Sequence, residues 1–155
     1  MKKILFICSG NSARSVMAEE LLRLKGEGRF CVFSAGTRPY AEIHPLTIRV
    51  LGEIGVSLQG RKPRAIAELA DERFDIILTL CDTAREECPI FPGHPIRGHW
   101  GMPDPALYKG TEEEKLGFFR KTLQEISNRI DLFVLLETER MDHNELEKRI
   151  GDIGC

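Results

Sequence analysis

The chain has no apolar run approaching the ~20 residues of a membrane-spanning helix, and Met1-Lys2-Lys3 leads into only Ile4-Leu5-Phe6-Ile7-Cys8, too short for a secretion signal. A cytoplasmic protein is the expectation. Basic charge is not in excess: the net charge is -2 and the pI about 6.1, which argues against a nucleic-acid or membrane partner. Any charge that binds a ligand must therefore be local. Internal repeats, low-complexity tracts and linkers are also missing. With 155 residues, 42% hydrophobic and 30% charged, the chain is expected to form one domain over 1–155, with 138–155 a C-terminal helical extension; a monomer is also the expectation. The cysteines Cys8, Cys31, Cys81, Cys88 and Cys155 are odd in number and accompany no secretion signal, so reactive thiols are favoured over a disulfide framework.

What is present is concentrated in Cys8-Ser9-Gly10-Asn11-Ser12-Ala13-Arg14-Ser15, between the apolar Ile4-Leu5-Phe6-Ile7 and the helix-like Val16-Met17-Ala18-Glu19-Glu20-Leu21-Leu22. A strand enters a tight loop and leaves as a helix. Small residues from Ser9 to Ala13 let backbone N–H groups turn inward, and the helix start adds partial positive charge, so the loop suits an oxyanion. Arg14 offers a fork of donors for two oxygens, and the same positive surroundings favour the thiolate of Cys8. Ser15 can donate its hydroxyl to that sulfur. The chemical reading is a cysteine nucleophile beneath an anion cup; the plainer one is a buried cysteine before an ordinary strand–helix turn.

Along the chain, helical spacing predicts a first helix from Ser15 to about Gly26, and Cys31–Ala35 reads as a second strand with Cys31 a core residue. Pro45 opens a helix through Ile54 with Leu46, Val50, Leu51 and Ile54 on its apolar side, and a short helix is expected near Ala65–Ala70. The continuous apolar run Asp75–Leu80 suits a strand buried on both faces, and Ile96–Trp100 suits a fourth. Thr111 to Glu114 is a capping box for a long amphipathic helix carrying Leu116, Phe119, Leu123, Ile126, Ile130 and Phe133. Asp142–Ile150 reads as a last helix docked by Leu146 and Ile150. Alternation of strands and helices predicts an α/β layer sandwich.

In such a sheet, ligands sit beyond the carboxyl ends of the strands. Cys8 and Cys81 end two of them, and Cys88 follows seven residues later, before Pro89. If the intervening segment is helical, the Cα atoms of Cys81 and Cys88 are about 10 Å apart, whereas a disulfide needs roughly 4.4–6.8 Å. Pairing these cysteines would unwind the helix, and Pro89 disfavours helix at Cys88. Three such cysteines suggest a relay from Cys8 to Cys81 to Cys88. Two alternatives stand beside it: small buried loop cysteines, or a zinc site of Cys81, Cys88, His94 and His99, whose spacing lacks the usual close pair. His94 and His99 are otherwise expected to satisfy backbone groups.

Residues 8–15 resemble the phosphate-binding loop of the low-molecular-weight protein tyrosine phosphatases and of the arsenate reductases sharing their fold. Thr79-Leu80-Cys81, Cys88-Pro89-Ile90-Phe91-Pro92 and His99-Trp100-Gly101-Met102-Pro103-Asp104-Pro105-Ala106 resemble the thioredoxin-coupled arsenate reductases, and the similarity runs from residue 3 to about 136. The resemblance implies a three-layer sandwich with a four-stranded parallel sheet in flavodoxin-like order. It makes Cys8 the nucleophile, Arg14 the oxyanion ligand, Cys81 and Cys88 a shuttle pair, and Asp104 the general acid. It implies an arsenate- or phosphate-like oxyanion substrate, no bound cofactor, and an external dithiol reductant of the thioredoxin or glutaredoxin type. It also points to a potassium site near Asn11, Glu19 and Ser34, although Arg64 stands near the place of an expected aspartate. Ala13 replaces a common cysteine, and Ala106 replaces the aromatic that packs on phosphotyrosine in the phosphatases. The alternatives are a phosphatase working through a Cys8 phosphoenzyme, or a redox- or anion-sensing module.

Overall fold

The computed structural model describes residues 1–155. Four strands, β1 (Lys2–Cys8), β2 (Phe30–Gly36), β3 (Ile76–Thr79) and β4 (Ile96–His99), form one all-parallel sheet in the order β2-β1-β3-β4. Five helices surround it: α1 (Arg14–Lys25), α2 (Pro45–Glu53), α3 (Asp82–Glu87), α4 (Glu112–Val134) and α5 (His143–Ile153). Short 3-10 turns occupy Ile66–Leu69 and Pro105–Leu107.

The central strands are apolar on both sides because both sides are covered. Ile4, Phe6, Ile76, Leu78 and Ile96 face a large core shared with α1, α2, α4 and α5. Leu5, Ile7 and Ile77 face a smaller one made with Leu69, Phe74, Ala84 and Phe91. These layers are the expected three-layer sandwich, with one layer much thinner than the other. Each fully enclosed side chain, such as Phe6, contributes about 1.5–3 kcal/mol by leaving water.

Helix ends follow the sequence closely. Thr111 Oγ1 accepts from Glu114 N and Glu114 Oε1 from Thr111 N, both at 3.1 Å; the Thr111 amide, helped by the Thr111 side chain, lowers the Glu114 pKa. Asp142 caps α5, which buries Leu146 and Ile150 and takes the Trp100 indole N–H on the Ile150 carbonyl at 2.9 Å. The terminal Cys155 is exposed.

Two expectations are corrected. On α2 Val50 and Leu51 are buried and Leu46 packs half-buried against the core as expected, but Ile54 is the exposed C-cap and Thr47 is inward instead, its hydroxyl donating to the Ser12 carbonyl at 2.9 Å. Cys31 is only half-buried, because β2 is an edge strand of the sheet.

Candidate active site

The register Cys8↔Gly36 and Ile7↔Thr79 brings the ends of β1, β2 and β3 to one sheet edge. From there residues 9–13 curl into α1. The carbonyls of Cys8, Ser9, Gly10 and Ser12 are taken by the amides of Thr37, Arg38, Tyr40 and His44, while the amides of Ser9 to Ala13 donate to no backbone carbonyl. Carbonyls out and amides in is the arrangement of an anion nest. No side chain caps α1, so its first amides add to the cup. Asn11 sits at φ 48, a left-handed conformation that asparagine tolerates well. Gly36 is required for a different reason: a Cβ there would lie 2.5 Å from the Ser9 carbonyl oxygen.

Cys8 is buried, and its sulfur lies 2.8 Å from Ser15 Oγ. Asn11 Nδ2 donates to Ser15 Oγ and to Ser34 Oγ, both at 2.9 Å, and Asn11 Oδ1 accepts from Arg64 N. The Arg64 contact fixes the orientation of the amide. With its oxygen accepting from Asn11, Ser15 has its proton free for Cys8. Ser34 in turn donates to Glu19, and Arg61 contacts Glu19, Ser34 and Glu20. A buried chain of partners thus runs from Arg61 to the Cys8 sulfur.

That chain does not fit the potassium ion expected near Asn11, Glu19 and Ser34. Asn11 presents its NH₂ rather than its oxygen to Ser34, and the guanidinium of Arg61 already engages Glu19 and Ser34. Arg64 contributes its backbone amide to Asn11.

Arg14 is buried, donates to the Met102 carbonyl at 3.0 Å, and faces Asp104 across 3.5 Å. Asp104 in turn accepts the Ala106 amide at 2.9 Å, so the Asp-Pro loop is stapled over the cup. Cys81 caps α3, accepting the Ala84 amide at 3.4 Å, and its sulfur is 3.5 Å from Ser9 Oγ. Cys88 ends α3 in an extended conformation (φ -63, ψ 122), as the residue before a proline prefers. Both cysteines are half-buried free thiols.

The zinc alternative finds no support in the placement of the histidines. His94 is exposed in the loop before β4. His99 binds two side chains rather than backbone groups, reaching Thr79 Oγ1 at 2.7 Å and Asp82 Oδ1 at 3.2 Å. Arg61, Thr47 and Gly36 were missed in the sequence, where nothing in their local spacing points to the loop.

Sheet order, loop and buried cysteine together define a cysteine-centred oxyanion-binding α/β protein. Residues 3–148 match the low molecular weight phosphotyrosine protein phosphatase family, and the chain belongs to it. A similar relative is the arsenate reductase of Bacillus subtilis, 37% identical over 132 residues that cover 85% of this chain and 94% of the relative. A solved structure described as an arsenate reductase in the phosphate binding state superposes with a TM-score of 0.73 at 27% identity, covering 87% of this chain and 98% of that one. The thioredoxin-dependent arsenate reductase of Corynebacterium glutamicum superposes with a TM-score of 0.58 at 27% identity, covering 86% of this chain and 63% of the neighbour.

Proposed function

We propose that the protein is an arsenate reductase that works by a three-thiol relay. The observation that carries this reading is the placement of Cys8, Cys81 and Cys88 around one sheet edge, the first under the anion cup and the other two at the ends of α3. Loop amides and Arg14 hold the arsenate. Cys8 attacks arsenic to form an S–As bond, and a departing oxygen leaves as water after taking the Asp104 proton. The incoming oxyanion takes over the donors of Arg14 and so lies against Asp104, which faces that guanidinium across 3.5 Å. Cys81 then attacks the Cys8 sulfur. The S–As electron pair passes to arsenic, giving arsenite and a Cys8–Cys81 disulfide.

Cys88 resolves that disulfide to Cys81–Cys88, which an external dithiol reduces. A thioredoxin-type protein is the proposed reductant, in keeping with the thioredoxin-dependent neighbour. Neither a resident cofactor nor potassium has a step in this scheme. No helix is long and apolar enough to cross a membrane, and the proposed setting is the cytoplasm. A phosphatase reaction would use Cys8, Arg14 and Asp104 but leave Cys81 and Cys88 without a task.

The test is stoichiometric: one equivalent of arsenate is added to fully reduced protein without reductant, thiols are counted, and disulfides are mapped by mass spectrometry. Loss of two thiols, one equivalent of arsenite and a Cys81–Cys88 bridge are expected. Unchanged thiols would overturn the reading.

A further inference from the structure

Both ends of α3 are fastened to β4. Arg97 and His99 lie two residues apart on that strand, so they share a sheet face. At the start of α3, His99 holds Asp82. At its end, Arg97 Nη1 donates to Cys88 Sγ at 3.2 Å and Nη2 donates to the Pro89 carbonyl at 3.3 Å. A cavity of about 240 Å³, lined by Ile77, Thr79, Cys88, Arg97 and His99 among others, lies alongside α3. Cys88 thus borders open space on the β4 side while packing against the smaller core on the other.

We propose that Arg97 is a catalytic residue of the second thiol–disulfide step, donating a charge-assisted hydrogen bond to the Cys88 sulfur and following it to Cys81. The inference rests on the relay described above. In that step the Cys88 thiolate attacks the Cys81 sulfur of the Cys8–Cys81 disulfide. The Cys81–Cys88 bond forms, the Cys8–Cys81 bond breaks, and the electron pair leaves on Cys8, with no net oxidation. Cys8 departs well as a thiolate because Ser15 and the loop receive its charge. The attacking sulfur has no such loop. Arg97 is the one side chain that donates to it, and a guanidinium stays charged throughout. Arg85 lines the same cavity, but its guanidinium is engaged by Asp82 at 3.4 Å. Arg97 is exposed and long, so it can keep its contact as the last turn of α3 opens.

The test compares Arg97→Met and Arg97→Lys with the parent. In the reduced proteins, alkylation of Cys88 by iodoacetamide at neutral pH is followed by peptide mass spectrometry, with Cys31 as internal control. Arg97→Met is expected to react about three- to tenfold more slowly at Cys88 alone, the loss of one charge-assisted hydrogen bond, and Arg97→Lys to recover most of the rate. After one equivalent of arsenate, Arg97→Met should release arsenite at the parent rate yet accumulate the Cys8–Cys81 disulfide. Equal alkylation in Arg97→Met and parent, or faster arrival of Cys81–Cys88 in the variant, would overturn the proposal by making Arg97 inert or a mere restraint. A parent that releases no arsenite overturns the relay and this step with it. That result is distinct from the failure of Arg97 alone, in which the parent turns over and the variant matches it.

Discussion

Around Cys8 the polar side chains Asn11, Ser15 and Ser34 are fully enclosed and each has a partner, and the loop carbonyls are tied down by four amides from the segment after β2. Around Cys88 the chain is half-exposed, α3 has only six residues with Ala84 alone buried, and the core behind it is the thin one. The contrast suits the roles proposed for the two sulfurs. A nucleophile that meets an oxyanion gains from donors already in place. A thiol that must travel to its partner gains from a segment that opens at little cost, and such segments are drawn from the weakly packed parts of a fold.

The sharpest way to break this comparison is to remove one sulfur at each end. Cys8→Ser is expected to lower arsenate turnover by about 10⁴-fold or more, since the chemistry loses its nucleophile. Cys88→Ser should still release one equivalent of arsenite and stop at the Cys8–Cys81 disulfide, losing the multiple turnover that the parent shows with reductant. Equal single-turnover yields from the two variants would contradict the assignment of roles. Next in size is Gly36→Ala. Its methyl would meet the Ser9 carbonyl oxygen at 2.5 Å, and relief requires β2 or the loop to move. A loss of about 2–3 kcal/mol is expected in denaturant unfolding, together with weaker phosphate protection of Cys8 from alkylation. Retention of both would show the loop to be softer than its hydrogen bonds indicate.

Most of the rigid end was legible in the sequence, and so was the outline of the mobile end. A strand, a small-residue turn and a helix in immediate succession leave few options for residues 8–15, and Cys81 to Cys88 is bounded by a strand and a proline. The partners were not legible. Arg61 reaches Glu19 and Ser34 from a loop 42 residues beyond Glu19, and Arg97 reaches Cys88 from a neighbouring strand. Spacing along a chain identifies a face but not what a fold brings against it. The same limit explains Thr47, a polar residue turned inward by the Ser12 carbonyl, and Cys31, half-exposed because β2 has a neighbour on one side only.

Adjacent residues of β3 sharpen the contrast between the two faces. Ile76 and Ile77 are both enclosed, but Ile76 faces the large core and Ile77 lines the cavity beside α3. Substitution of a buried isoleucine by alanine costs about 2–5 kcal/mol, the spread reflecting how many contacts are lost. Ile76→Ala should fall near the upper end and Ile77→Ala near the lower, measured by urea unfolding. Hydrogen exchange should reveal the added loosening from Ile77→Ala mainly in α3. Equal costs would mean that the thin layer is packed as tightly as the thick one.

The smallest effect concerns the pH dependence of the rigid end. His44 N holds the Ser12 carbonyl and His44 Nδ1 accepts the Leu46 amide at 3.0 Å, so the same residue buttresses the loop and caps α2. Burial against Phe119 lowers its pKa below the ordinary 6.5, opposed by the charges of Asp104 and Glu112, while Lys115 lowers it further. A protonated ring could not accept the Leu46 amide at Nδ1. The unfolded chain therefore binds a proton more readily than the folded one, so the contribution is present above about pH 6.5 and is lost as pH falls through the lowered folded value. His44→Asn keeps a side-chain oxygen for the cap but cannot titrate. It should flatten the decline of stability below about pH 6.5 while leaving stability at pH 8 within about 1 kcal/mol of the parent. An unchanged slope would place the acid sensitivity between about pH 6.5 and 5 outside His44 and its cap.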